Sequence, residues 1–277
     1  MNRLIALTLA LLLAACAAEA VEPLPTPQTE TPVDAILVQM DIAPTYSLPR
    51  YFQPFGRVKP FTLYADGRVF YTAPAGENGG QQLMTAQLTP EEVTALLDEL
   101  RADGITQIET YTDFCNPTND QECIADAGLT LLRFRTDADT LRETRNYAGF
   151  AENAEALAAV TDRLGGYTHP QAEPYQPQTA ALFVSPAFEQ AQDAPAWPLD
   201  PGLLRAADAA DPAGTQLAGS TQIIVLDAAQ IEAVLALTGS NAGAALVESE
   251  GTVYSIDLVP WLPGEDYTDE VTEFQQQ

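Results

Sequence analysis

Cys16 is the residue whose setting gives it the clearest chemistry. A positively charged head at residues 1–3 and an apolar run from Leu4 precede it, and small residues stand directly before it. This order is typical of an export signal peptide, which is shorter than a membrane-spanning helix. The Cys16 thiol is therefore a candidate for modification after export.

The sequence Leu13-Ala14-Ala15-Cys16 resembles the bacterial lipobox. The resemblance implies that residues 1–15 are removed as a lipoprotein signal peptide and that the Cys16 thiol is lipidated. The lipid would then attach the chain to the outer face of the cytoplasmic membrane or to the outer membrane, at about 0.8 kcal/mol per buried CH₂. The alternative is an ordinary secretory signal in which the cysteine has no role.

Residues 16–32 contain four prolines and three glutamates, which predicts a disordered tether.

Cys115 and Cys123 are the other two cysteines of the chain. In an exported protein an isolated pair most simply forms one disulfide, and the residues between them are nearly all turn formers. Redox-active pairs usually have C-x-x-C spacing, which this pair lacks. We therefore predict a structural disulfide, which stabilises the fold by about 2–3 kcal/mol in the chain-entropy model.

The same loop is rich in side-chain oxygens. Asp113, Asn119, Asp120 and Glu122 are candidates for a calcium site, because calcium binds oxygen ligands from a loop that can wrap around it. The spacing differs from that of an EF-hand, however, and turns favour Asn and Asp without any metal. A calcium site and an ordinary turn both stay open.

Most of the few cations lie in two segments. The first segment contains Arg50, Tyr51, Phe52, Arg57 and Lys59, and the second contains Arg133, Arg135, Arg142 and Arg145. Guanidinium groups beside aromatic rings bind anionic or glycan ligands by stacking and bidentate hydrogen bonds. The alternative is that the aromatic residues pack over a sheet edge while the arginines neutralise neighbouring acids. Because side chains two apart share one face of a strand, Arg133 and Arg135 should lie together, with Leu132 and Phe134 toward the core. We expect Arg50, Arg57 and Lys59 near that face.

The net charge of −27 limits the compatible partners. So acidic a chain should repel nucleic acid and anionic lipid head groups. His169 is the single histidine, so a multi-histidine metal site is excluded and a Ser-His-Asp triad would need another base. We interpret His169, which precedes a proline, as a solvated loop residue. Paired acids such as Glu91 and Glu92 are suited to acid–base catalysis in principle, but helix capping explains them.

Local patterns predict the elements that position these residues. Two β-rich runs flank Asp66-Gly67, which predicts a hairpin with a two-residue turn and Leu63 opposite Phe70. Thr89 is the expected N-cap of a helix in which Glu92 completes a capping box. Later patterns predict a hairpin over 130–147, a helix over 154–164, strands at 181–184 and 222–226, a helix over 228–237, and a hairpin that turns at 250–251.

Hairpins interleaved with single helices predict an α+β fold of antiparallel β-hairpins with helices packed on one face, in two subdomains. The first α+β domain spans 33–168 and includes the disulfide loop. A linker follows over 169–179, the second α+β subdomain spans 180–265, and residues 266–277 form an acidic tail.

Three stretches resemble an uncharacterised domain family of bacterial exported lipoproteins: LYADGRVFY over 63–71, LTPEEV over 88–93 and CIADAG over 123–128. The resemblance implies fold and location, and such families carry no agreed activity. The combined prediction is a lipid-anchored lipoprotein of the cell envelope that acts as a non-enzymatic binding or structural module. No cofactor and no nucleic acid are expected, and an envelope protein or a glycan is the expected partner. The alternative is an envelope hydrolase that uses carboxylates.

Overall fold

The structure, a computed structural model, describes residues 35–44, 54–75, 80–113, 115–117, 119–124, 127–137, 139–187, 193–204, 222–238 and 243–275. These residues form a seven-stranded sheet, a four-stranded sheet and a two-stranded ribbon, and neighbouring strands run antiparallel throughout. The predicted α+β class with antiparallel sheets is thus confirmed.

The first unit is built on the seven-stranded sheet, whose order is β8-β7-β1-β2-β3-β4-β9. Its strands are β1 (Ile36–Pro44), β2 (Phe61–Tyr64), β3 (Arg68–Ala75), β4 (Gly80–Gln87), β7 (Gly128–Arg135), β8 (Leu141–Tyr147) and β9 (Glu173–Pro174). Helices α1 (Pro90–Ala102) and α2 (Ala154–Gly165) pack on one face, and the ribbon consists of β5 (Cys115–Asn116) and β6 (Asn119–Cys123).

The second unit is built on the four-stranded sheet, whose order is β11-β10-β13-β12. Its strands are β10 (Thr179–Pro186), β11 (Gln222–Asp227), β12 (Gly243–Ser249) and β13 (Thr252–Pro260). Helix α3 (Ala228–Thr238) packs on one face, and the short α4 (Thr268–Gln275) places Val271 in the cluster on the other face. No helix among the described residues is both long and apolar enough to cross a bilayer.

Helix α1 begins as its sequence predicts. Thr89 accepts a hydrogen bond from the Glu92 amide, and the Glu92 carboxylate accepts one from the Thr89 amide at 2.8 Å. This capping box satisfies amides that the helix itself leaves unpaired. Val93, Leu96 and Leu100 then form the buried stripe against the sheet.

The first hairpin differs from its prediction in the turn. Leu63 pairs with Val69 rather than with Phe70, because the loop is one residue longer than expected. Only Gly67 in this turn has a positive φ, +86°, and its amide donates to the Tyr64 carbonyl at 3.0 Å. A turn followed by one left-handed glycine is the usual three-residue hairpin loop. The two-residue turn occurs instead in the last hairpin, where Glu250 and Gly251 both have positive φ.

The second face of the seven-stranded sheet meets the second unit. Tyr64, Phe70 and Leu83 form a buried cluster there with Leu262 of the second unit and with Tyr175. Tyr175 follows β9, so the segment predicted as a linker contributes a strand and a buried ring. The two units are therefore joined by packed side chains as well as by the chain.

Candidate binding surface

Arg57 is buried where the two units meet. Its side chain is 9% exposed and forms an ion pair with Asp41, whose side chain is 6% exposed. The Arg57 Nε lies 3.1 and 3.2 Å from the two carboxylate oxygens, and one terminal nitrogen donates at 2.6 Å. Asp41 lies on β1 and Arg57 just before β2, so this pair fixes the segment that leads into the first hairpin.

Lys59 forms the second buried ion pair of this region. Its Nζ lies 3.1 Å from Oε1 of Glu265, a residue of the second unit, and 5.1 Å from the centre of the Tyr267 ring. The Glu265 carboxylate also accepts hydrogen bonds from the Leu262 amide at 2.8 Å and the Tyr267 hydroxyl at 3.1 Å. We call Asp41, Arg57, Lys59, Glu265 and Tyr267 the polar junction. It ties the two units together and does not present Arg57 or Lys59 to a ligand.

A chain of hydrogen bonds crosses four strands beside the polar junction, and we call it the arginine ladder. Arg145 donates from Nε to Glu143 Oε1 at 2.7 Å, and Arg133 donates from Nε to Glu143 Oε2 at 2.7 Å. Arg133 also donates to Oε1 of Gln39 at 2.9 Å, and Gln39 donates to the Thr62 hydroxyl at 3.1 Å. The ladder thus runs from β8 through β7 and β1 to β2.

The ladder is partly open to solvent. The exposed fractions of the Arg145, Arg133 and Glu143 side chains are 56%, 34% and 27%. Leu132 and Phe134 are fully buried on the other side of β7. The prediction that these two side chains face the core and Arg133 faces away from it is confirmed. Arg135 lies on the ladder side of β7, and its Nε donates to the Ile36 carbonyl at 3.1 Å.

The sequence predicted that Arg50, Arg57 and Lys59 lie near Arg133. Asp41, the partner of Arg57, lies on β1 two positions after Gln39, the residue opposite Arg133, so the polar junction is close to Arg133. The sequence analysis gave no role to Glu143 or Gln39, which bind Arg133 directly. The alternation of β8 was the available signal, because Glu143 is opposite Arg133 and Arg145, two positions further along β8, lies on the same face. Arg50, Tyr51 and Phe52 lie outside the described residues.

Charges and burial set the protonation states in this region. Burial raises the pKa of Glu143, but hydrogen bonds and charges from Arg133 and Arg145 outweigh it and hold the pKa below its ordinary value. Burial, followed by the charge of Glu265, raises the pKa of Tyr267 and brings that of Tyr175 to about 12. Glu143 therefore stays ionised near neutral pH, whereas the two tyrosines stay protonated.

The carboxyl groups with a shifted pKa in the described part of the chain are Glu92, Asp137, Glu143 and Asp266, and all four pKa values are lowered. Helix-cap, turn or arginine hydrogen bonds cause each shift. A general acid requires the opposite shift, a raised pKa.

A cleft of about 410 Å³ lies beside α2, and among the described residues that line it Asp162 supplies the carboxyl group. This arrangement differs from the two facing carboxyls of a glycosidase.

His169 is not the solvated loop residue that we predicted. Its side chain is only 8% exposed, its amide donates to the Tyr71 hydroxyl at 3.0 Å, and its Nε2 lies 3.6 Å from Oε1 of Glu92. The Tyr71 and Tyr167 rings meet edge to face, with centres 5.1 Å apart. These contacts hold the segment after α2 against the start of α1.

The backbone of the ribbon brings the two loop cysteines together, because Cys115 on β5 is directly opposite Cys123 on β6. The calcium candidates lie on or near this ribbon. Asp113 is exposed, whereas the side chains of Asn119, Asp120 and Glu122 fall outside the described part of the chain. Among the described residues, no group of three or more His, Cys, Asp or Glu side chains is placed to hold a metal ion.

In comparisons with known proteins, no family model, no curated protein and no solved structure matches this chain.

Proposed function

We propose that this chain is a lipid-anchored protein of the cell envelope and that its folded part is a non-enzymatic binding module for an anionic partner. The arginine ladder is the observation that carries this proposal. It presents two partly exposed arginine side chains, Arg133 and Arg145, on one face of the sheet. Guanidinium groups are well suited to carboxylate or phosphate oxygens because their N–H donors have a fixed geometry.

The charge distribution supports the same function. The chain carries a net charge of −27. One face of the β7–β8 pair nevertheless carries three arginines, Arg133, Arg135 and Arg145, and one acidic residue, Glu143. A positive patch on an otherwise acidic protein steers an anionic partner to that patch and repels it elsewhere. The exposed acids of the remaining surface therefore contribute specificity.

The envelope location rests on the residues before the folded part. The lipobox-like sequence around Cys16 supports attachment by lipid, and the proline-containing tether would hold the module clear of the membrane. The opposition of Cys115 and Cys123 supports a disulfide, which is stable only in an oxidising compartment such as the envelope. The partner that we propose is accordingly another component of the envelope.

The test is binding of the full-length chain to immobilised polyglutamate at low ionic strength. We expect Arg145→Gln to weaken binding about tenfold and Arg133→Gln with Arg145→Gln to abolish it, because each change removes a charged donor. Arg101→Gln is the matched control, since Arg101 lies on α1, on the other face of the sheet, and pairs with Asp98. Binding that is equal in all three variants would reject the proposal.

A further inference from the structure

Glu143 occupies the arginine ladder in the way that a bound ligand would. Each of its carboxylate oxygens accepts a hydrogen bond from a different arginine, both at 2.7 Å. The two donors come from adjacent strands, with Arg133 on β7 opposite Glu143 on β8. This is a carboxylate clamped between two guanidinium groups, and the carboxylate belongs to the protein itself.

The clamp is held in place by groups other than Glu143. Arg133 is fixed from the far side by Gln39, which donates in turn to Thr62. Gln39 and Thr62 are buried, at 2% and 0% exposure. The Arg145 side chain, 56% exposed, bonds Glu143 from the open side. A second carboxylate that displaced Glu143 would therefore meet one donor, Arg133, that is already oriented, which lowers the entropic cost of binding.

We propose that Glu143 is a built-in competitor and that the partner is an acidic segment of another protein, one of whose Asp or Glu carboxylates takes the place of Glu143 between Arg133 and Arg145. This inference rests on the proposed function of the arginine ladder. The observation that selects a carboxylate is the occupant already present, which engages each arginine through one oxygen. The negative charge of the partner segment complements the positive patch.

The competitor also sets which anions bind. A carboxylate on the same strand as Arg145 has a high effective concentration at the clamp, so an isolated small anion competes poorly with it. A segment with several carboxylates can also contact Arg135, which lies on the same side of β7, and can therefore displace the Glu143 carboxylate. Glu143 thus makes the site selective for multivalent acidic segments over single anions.

The experiment compares wild type, Glu143→Ala, Glu143→Gln and Glu143→Ala with Arg145→Gln by titration calorimetry against polyglutamate and against inorganic phosphate at low ionic strength. We expect Glu143→Ala to bind polyglutamate about tenfold more tightly than wild type, and Glu143→Gln to show a smaller gain because its amide oxygen still accepts one hydrogen bond. Adding Arg145→Gln should cancel the gain. Glu99→Ala is the control, since it removes the same charge from α1.

The outcomes separate the two proposals. If wild type and Glu143→Ala bind polyglutamate equally while Arg145→Gln abolishes binding, the site is real and the competitor role is wrong. If Glu99→Ala gains as much as Glu143→Ala, the gain reflects net charge alone and the competitor role is again wrong. If Glu143→Ala binds phosphate as tightly as polyglutamate, the acidic-segment partner is overturned. If none of the proteins binds either anion, the proposed function fails as well.

Discussion

Replacing Glu265 by Leu is the most direct test of how the two units are joined. The Glu265 carboxylate faces the ammonium of Lys59, a side chain that is only 2% exposed, and it also accepts hydrogen bonds from the Leu262 amide and the Tyr267 hydroxyl. Leucine offers no acceptor, so the substitution removes the carboxylate from three donors at once. Glu265→Gln keeps one oxygen and serves as the milder variant.

The expected cost follows from burial. Removing one partner of a buried ion pair costs about 3–5 kcal/mol, because the remaining charge stays in a poorly solvated site. We therefore expect Glu265→Leu to lower the free energy of unfolding by about 4 kcal/mol, a large part of the roughly 5–15 kcal/mol that holds a typical domain folded. For a folded part that spans residues 35–275 and unfolds as a whole, the melting temperature should fall by about 8–16 °C. Glu265→Gln should cost about half as much.

Urea unfolding followed by far-ultraviolet circular dichroism measures this cost, together with a double-mutant cycle that includes Lys59→Met. Because the cycle removes both charges, the double variant should be more stable than Glu265→Leu alone. Asp98→Asn is the matched control, since Asp98 is 60% exposed in its pair with Arg101, and we expect a loss below about 0.5 kcal/mol. A Glu265→Leu protein within 0.5 kcal/mol of wild type, or a cycle without coupling, would refute the buried ion pair as a joint between the units.

Four further results are expected. Cys16→Ser should move the full-length chain out of the detergent phase of a membrane extract, and unchanged partitioning would contradict lipidation. Mass spectrometry after alkylation without reductant should leave Cys115 and Cys123 unmodified, whereas two labelled thiols would exclude the disulfide. Gly67→Ala should destabilise the protein by more than about 1 kcal/mol in thermal unfolding. The backbone φ of +86° strains any residue other than glycine, and the new Cβ would lie 2.6 Å from the backbone oxygen of Leu88. A loss below about 0.3 kcal/mol would contradict this backbone strain. Because the pKa of Glu143 is lowered in the folded protein, its ion pairs stabilise the fold fully at pH values above the ordinary pKa of 4.5, and this stability is lost as the pH falls through the folded pKa. Glu143→Gln should therefore reduce the loss of stability at acidic pH. An unchanged loss would argue against the ion pairs.

Elements defined by neighbouring residues could be predicted from the sequence. The capping box at Thr89 and Glu92 depends on residues three apart, and the inward Leu132 and Phe134 depend on the two-residue period of a strand. The first turn shows the limit of such signals. Asp-Gly is compatible with more than one hairpin loop, and the pairing of Leu63 with Val69 was settled by the whole strand register.

Short-range patterns were enough to predict the fold class, the start of α1 and the shared face of Arg133 and Arg135, because helix caps and strand alternation act between residues close in the chain. The partners of the cations, in contrast, depend on contacts between distant parts of the chain. Lys59 pairs with Glu265, 206 positions away, and Arg133 with a glutamate across a hairpin and a glutamine 94 positions away. Such pairs depend on strand order and on how two sheets meet, and no local pattern encodes either. These contacts bury Lys59 at the junction of the two units and leave Arg133 and Arg145 partly exposed.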